Sequence, residues 1–279
     1  MNSELQEKLE VACQAVRTAG EFLLQNRFTP LKKYMKNFEE NDFATQLDIS
    51  TEKVIKDILL VKYPDIPIIG EETGLTGKEN AKETWFVDPL DGTKAFFQGN
   101  VGFTSVSVAL TTTQEVLVGA VYNPFTDTLY SATKDSSSTI NNHLINKNIF
   151  PEKLSDSRFI LDFSSKLPLA LKKRLLELEL ENLFSRIFRY EGSIAQHLCF
   201  IGSGVHHAGL FWGQNKGHFW DIGAGLLICR QAGLKITDFQ GNDITPKSNN
   251  FSQIILGSKT AHSELLKVVE DLLPLSVNK

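Results

Sequence analysis

The stretch Trp85-Phe86-Val87-Asp88-Pro89-Leu90-Asp91-Gly92-Thr93-Lys94 decides how this chain is read. Its apolar start reads as a strand, Pro89 and Gly92 as a tight turn, and Thr93 to Gln98 as a helix. The turn carries two carboxylates, Asp88 and Asp91, on either side of Pro89-Leu90. Pro89 fixes φ and Gly92 relaxes the backbone, so both carboxylates can fold toward one point, with the Leu90 carbonyl between them. Such an oxygen-only ligand set suits a hard cation such as Mg²⁺. The N–H groups of Asp91, Gly92 and Thr93 at the helix start suit phosphate oxygens. Taken alone, Asp-Pro and Asp-Gly are ordinary turn dipeptides, so the chemistry depends on what else reaches this point.

Working outward, Ile66-Pro67-Ile68-Ile69 reads as a buried strand ending at Gly70-Glu71-Glu72, which would bring Glu71 to the same sheet end as Asp88. Asp48 heads a helix over 50–63 and could be either its cap or a functional carboxylate, while residues 4–26 carry the spacing of an amphipathic helix. The polar run 32–41 is expected to be a mobile loop, and 73–83 a solvated one. Strands over 103–111, 116–122 and 128–132, separated by turn residues, predict an antiparallel meander. Lys, Asp, Ser and Asn then dominate over 134–157, which suggests an α+β unit at 1–145 and an α/β unit at 146–279. In the second unit strands are expected over 159–163, 208–212, 235–238 and 254–256. Helices are expected over 169–184, 192–201, 222–232 and 262–272.

Trp220-Asp221 opens one of these helices; Asp221 is either its cap or a third carboxylate brought to the site. Gly223, Ala224 and Gly225 keep that first turn slim. None of the six histidines sits in an HxxxH or HExxH pairing, and His206, His207 and His218 read as loop or packing residues. There is no P-loop, no GxGxxG and no nucleophile elbow, so covalent serine or cysteine catalysis has no support.

The bulk numbers agree. A length of 279 residues suggests roughly two domains, and 42% hydrophobic residues can build a core. A net charge of −4 argues against a nucleic-acid polymer as partner. Three cysteines without zinc spacing suggest buried thiols in a reducing compartment, and no apolar run is long enough to span a bilayer, so the expected location is cytoplasmic.

Read together, Gly70-Glu71-Glu72, Trp85 to Thr93 and Trp220 to Gly225 resemble the motifs of the inositol monophosphatase superfamily of Mg²⁺-dependent, lithium-sensitive phosphatases. Phe43-Ala44-Thr45-Gln46-Leu47-Asp48, followed by Glu52, is similar to the family's Thr-x-x-Asp segment. The resemblance implies a layered αβαβα sandwich with an N-terminal α+β half, a C-terminal α/β half and the site between them. It implies that Glu71, Asp88 and the Leu90 carbonyl hold one Mg²⁺, that Asp88, Asp91 and Asp221 hold a second, and that a weaker third sits near Glu71. Asp48, Glu71 and Thr93 would be catalytic, Asp48 and Thr93 orienting a water that the metal activates. Asp91, Gly92, Thr93, Gly192, Ser193, Gln214 and Asp221 would bind the phosphate or the rest of a small phosphomonoester, and the assembly would be a homodimer.

Departures bear on the substrate. Phe211 to Lys216 lacks the glutamate that many inositol phosphatases place there, and Lys94 followed by Phe96 is similar to the 3′(2′),5′-bisphosphate nucleotidase branch. Ile69 to Glu72, and Arg189 followed by Gly192-Ser193, are more similar to the inositol branch. The stretch 134–141 lacks the family's usual glycines. The expected function is therefore hydrolysis of an inositol monophosphate-like metabolite, with bisphosphate nucleotidase as the alternative. A phosphatase-fold binding or regulatory protein is the alternative of another class.

Overall fold

The computed structural model describes residues 3–28, 33–37, 42–164, 166–213, 217–248 and 251–276. Two helices, α1 (Ser3–Asn26) and α2 (Gln46–Lys62), open the chain. α1 buries Leu5, Leu9, Ala12, Val16, Ala19 and Leu23, the set whose spacing predicts it. Between the helices, β1 (Lys33–Asn37) and β2 (Asp42–Thr45) pair antiparallel, where the sequence predicts a mobile loop over 32–41. Backbone pairing makes this hairpin, and a polar run carries no periodic signal for it.

The first sheet comprises β3 (Ile68–Gly70), β4 (Gly74–Thr76), β5 (Thr84–Asp91), β6 (Ser105–Thr111), β7 (Val116–Asn123), β8 (Thr128–Thr133), β9 (Thr139–Ile140) and β10 (His143–Leu144). Its order is β10-β9-β8-β7-β6-β5-β3-β4. From β5 onward it is the expected antiparallel meander, lengthened by the small β9–β10 hairpin at Asn141-Asn142. β4 is an edge strand inside the stretch expected to be a loop. β3 runs parallel to β5 with Gly70 opposite Val87, so Glu71 leaves the sheet beside Asp88.

A short helix α3 (Thr93–Phe97) follows β5. The second sheet comprises β11 (Arg158–Phe163), β12 (Arg186–Phe188), β13 (Ala208–Trp212), β14 (Lys235–Thr237) and β15 (Gln253–Gly257), in the order β12-β11-β13-β15-β14. Its helices are α4 (Leu169–Leu180), α5 (Ile194–Gly202), α6 (Phe219–Gln231) and α7 (Lys259–Leu272). α4 stops short of the predicted Phe184: Asn182 takes a positive φ of 54°, and the chain re-enters the sheet as β12.

Three apolar clusters mark three interlayer cores. One joins α1 and α2 to a face of the first sheet. The second joins that sheet's other face, α5, α6 and the second sheet. The third joins the far face of the second sheet to α4 and α7. The result is the αβαβα layering that the resemblance implies. β6 and β7 are buried along their whole length because helices cover both faces. Cys199 and Cys229 are buried and Cys13 is partly exposed, all as free thiols. No helix among the described residues is long and apolar enough to cross a membrane.

Candidate active site

The tight turn predicted over Asp88–Gly92 is instead a bulge in the end of β5. Asp88 pairs with Ser107 and Asp91 with Ser105, so three steps along β5 match two along β6. Pro89 has no N–H to give the ladder, so it tolerates the unpaired position. The extra residue re-aims the strand end, and the Leu90 N–H folds back to donate to Asp88 Oδ1 at 3.0 Å. Gly92 then takes φ 87°, and a Cβ there would stand 2.8 Å from both the Phe103 carbonyl oxygen and the Ser193 nitrogen.

Glu71, Asp88, Leu90, Asp91, Gly92, Thr93, Gly192 and Asp221 line one cavity of about 290 Å³. Eight of the residues singled out from sequence thus meet at one place, drawn from the turn after β3, the end of β5, the start of α3, the turn before α5 and the first turn of α6. Lys94 and Ala95 line it too, neither expected from sequence.

Of the remaining expected residues, Asp48 and Ser193 stand behind this wall. Asp48 is almost fully buried and is not the cap of α2; Thr45 is. Asp48 sits three positions into the helix, accepts the Thr45 N–H at 2.9 Å, and accepts the Thr93 hydroxyl at 3.0 Å. The Thr93 oxygen also lies 3.0 Å from the Leu90 carbonyl oxygen, so its one proton is shared between two acceptors. Ser193 is fully buried, caps α5, and donates to Asp91 Oδ2 at 2.6 Å, beside the Ala195 N–H at 2.9 Å. Gln214 lies outside the described residues.

Asp221 sits at the third position of α6, because the helix begins at Phe219, three residues before the predicted start, with His218 as its cap. The His218 N–H donates to Asp221 Oδ2 at 3.1 Å. Of the two readings open from sequence, Asp221 is not the cap but a first-turn carboxylate lining the cavity, favourable at a helix N-terminus.

One supporting residue carried no assigned role in the sequence. Glu52, fully buried on α2, accepts the Glu72 N–H at 2.8 Å and the Thr73 N–H at 3.2 Å, and pairs with Lys56 at 3.0 Å. It fixes the turn that presents Glu71, and a side chain at Gly70 would strike it. A glutamate four positions after Asp48 was visible, but its target lies across two elements.

Burial dominates the electrostatics. It pushes the Asp88 carboxyl well above the usual range, and Glu71, Asp91 and Asp221 push the same way. It raises Asp91 to about 7 against the pull of Ser193 and Ala195, and it raises Asp48 despite the Thr45 and Thr93 hydrogen bonds. In this conformation no three His, Cys, Asp or Glu groups among the described residues converge into a closed ligand cage. The carboxylates of Asp88, Asp91 and Asp221 are each turned onto a protein donor. The donor chemistry nonetheless fits Mg²⁺: it is all oxygen, and buried like charges need a counter-cation.

The model of the inositol monophosphatase family matches residues 4–273. A fructose-1,6-bisphosphatase/inositol-1-monophosphatase of Aquifex aeolicus is 32% identical over 98% of this chain and 99% of its own. The Nus factor SuhB of Haemophilus influenzae is 29% identical over 97% of this chain and 98% of its own. The crystal structure of the extragenic suppressor protein suhB from Bartonella henselae superposes with a TM-score of 0.81 at 27% identity, covering 95% of this chain and 98% of that one. With the motifs in order, the layers in place and the match running nearly end to end, the chain belongs to the inositol monophosphatase family, a superfamily of magnesium-dependent phosphatases.

Proposed function

We propose that the protein is a phosphomonoesterase acting on a small metabolite of the inositol monophosphate kind. The observation that carries this reading is the cavity that joins Glu71, Asp88, Asp91 and Asp221 to the Gly92-Thr93 backbone. Glu71, Asp88 and the Leu90 carbonyl would hold one Mg²⁺, and Asp88, Asp91 and Asp221 a second, with a third near Glu71. Bound Mg²⁺ supplies Lewis-acid chemistry, acidifying water and neutralising the leaving alkoxide.

The chain's own residues supply position and proton acceptance. Thr93, held between Asp48 and the Leu90 carbonyl, orients the attacking water. Asp48 takes its proton, and burial makes that carboxylate a stronger base than one in water. The Gly92 and Thr93 N–H groups hold the phosphate, with Gly192 packed beside Gly92 in the same cavity. Ser193 and Ala195 hold Asp91 in place. On this reading residues 1–145 supply most of the machinery, and 146–279 supply Asp221, Ser193 and, with Gln214, the alcohol side. We further infer a cytoplasmic homodimer.

The direct test is phosphate release from inositol 1-phosphate, adenosine 3′,5′-bisphosphate and fructose 1,6-bisphosphate by purified protein with Mg²⁺. Release from inositol 1-phosphate is expected; release from none of the three would overturn the assignment. The name Nus factor on some relatives supports a second reading, a phosphatase-fold protein that acts mainly through a macromolecular partner. The retained carboxylates weigh against it. A stable partner complex together with absent turnover would establish it.

A further inference from the structure

A second cavity, of about 240 Å³, opens beside the first and shares Asp221 with it. Its walls are mostly apolar: Phe163, Ile194, Phe211, Trp212 and Phe251. Asp162, near the end of β11, is its other carboxylate, with a side chain 37% exposed. Behind Asp162 stands His197 of α5, fully buried, its Nδ1 3.8 Å from Asp162 Oδ2 and neither ring nitrogen hydrogen-bonded among the described residues. Tyr190, Phe103 and Phe200 enclose that ring, so its position is set by packing. Asp162 is thus backed from the interior, and with Asp221 it lines a small, mostly apolar cavity.

We propose that Asp162, positioned by His197, is the specificity-determining acceptor for hydroxyls on the alcohol half of the phosphoester. It would select a neutral polyhydroxylated alcohol over one carrying a second phosphate. This rests on the phosphatase reading above, since a phosphate over Asp88 and Asp91 places its alcohol past Asp221. Three observations support the selection. A carboxylate accepts from neighbouring hydroxyls in pairs, and such charge-assisted bonds are the strong ones. The volume lies below the roughly 300 Å³ at which pockets for drug-sized ligands begin, which suits one small ring rather than a nucleoside. Asp162 and Asp221 both line the cavity and repel a second phosphate, while the Arg189 guanidinium is engaged over the Phe163 ring at 4.1 Å.

The test compares kcat/KM for inositol 1-phosphate, adenosine 3′,5′-bisphosphate and p-nitrophenyl phosphate in the wild type and Asp162→Asn. The ratio of inositol 1-phosphate to p-nitrophenyl phosphate is expected to fall about tenfold, mainly through KM, as loss of a charged hydrogen-bond acceptor predicts. The ratio of the bisphosphate to p-nitrophenyl phosphate is expected to rise about threefold. His197→Phe should shift the first ratio in the same direction by a smaller factor, and His197→Gln should restore most of it. Ratios within twofold of wild type in Asp162→Asn, or an equal loss of kcat on all three esters, would overturn this inference while leaving the phosphatase reading standing. A wild-type protein silent on all three would sink both.

Discussion

Asp91 and Asp221 face the same cavity from opposite halves of the chain, and they are held in different ways. Asp91 is nine-tenths buried at a strand bulge, with a hydroxyl and an amide from α5 aimed at one of its oxygens. Asp221 is half-buried in the first turn of α6, where the His218 N–H meets it. Burial pushes one carboxylate toward its protonated form, and the other sits where a helix favours negative charge. Function is therefore imposed at the cost of stability at Asp91 and comes with a stability gain at Asp221.

Asp91→Asn puts the first half of that contrast to its largest test. On the proposed mechanism it should lower kcat/KM by roughly 10³-fold or more, equivalent to about 4 kcal/mol of transition-state stabilisation. The amide oxygen can still accept from Ser193 and Ala195, and one buried charge is gone. The chelator-treated variant should therefore melt at or above the wild-type temperature in a thermal scan. Retained turnover would remove Asp91 from the metal set.

Asp221→Asn should cost about 10²-fold in activity, with part of the loss recovered at high Mg²⁺. In chelator it should melt below the wild type, by on the order of 0.5–1 kcal/mol, as a helix N-terminus loses its negative charge. Opposite signs for the two variants in the metal-free state would sharpen the comparison; equal signs would break it. Thr93→Val should cost somewhat less, roughly 10–100-fold, because it removes orientation without removing charge. Its melting curve should stay close to wild type, and Thr93→Ser should recover much of the activity.

Much of this site was legible because it is written as short local motifs. The apolar run into Asp88-Pro89-Leu90-Asp91-Gly92 announces a strand end with clustered carboxylates whatever the fold around it. The bulge was not legible, since it is defined by the offset between Asp88–Asp91 and Ser107–Ser105, a property of two strands. Whether Asp48 caps α2 is not legible in the sequence, because the strand pair before it carries no signal to fix the helix start at Thr45. The start of α6 at Phe219 is not legible because histidine is a rare cap, so His218 gives no start signal. Asn182 was a readable stop for α4, and the leucine periodicity overrode it. The eight-stranded order was legible through its meander and less so at β3, whose parallel placement beside β5 brings Glu71 to Asp88.

The smallest effect is also the most specific to the contrast. Burial holds the folded Asp91 pKa at about 7, above the unfolded value near 3.8. Between those values the folded metal-free protein binds more protons than the unfolded chain, so this group's penalty is full above pH 7 and is relieved as pH falls toward 4. Other titrating groups act on stability too: burial depresses His206 and His262 to about 4, so they destabilise the fold as pH drops from 6.5. Comparing Asp91→Asn with the wild type in chelator cancels the histidines, which both proteins share. The stability advantage of the variant should be greatest near pH 8 and shrink on acidification, by at most about 1.4 kcal/mol per pH unit. A flat difference for Asp91→Asn across pH 8 to 5 would mean that its carboxylate is as comfortable in the folded chain as in water, and the contrast between the two halves of the site would be lost.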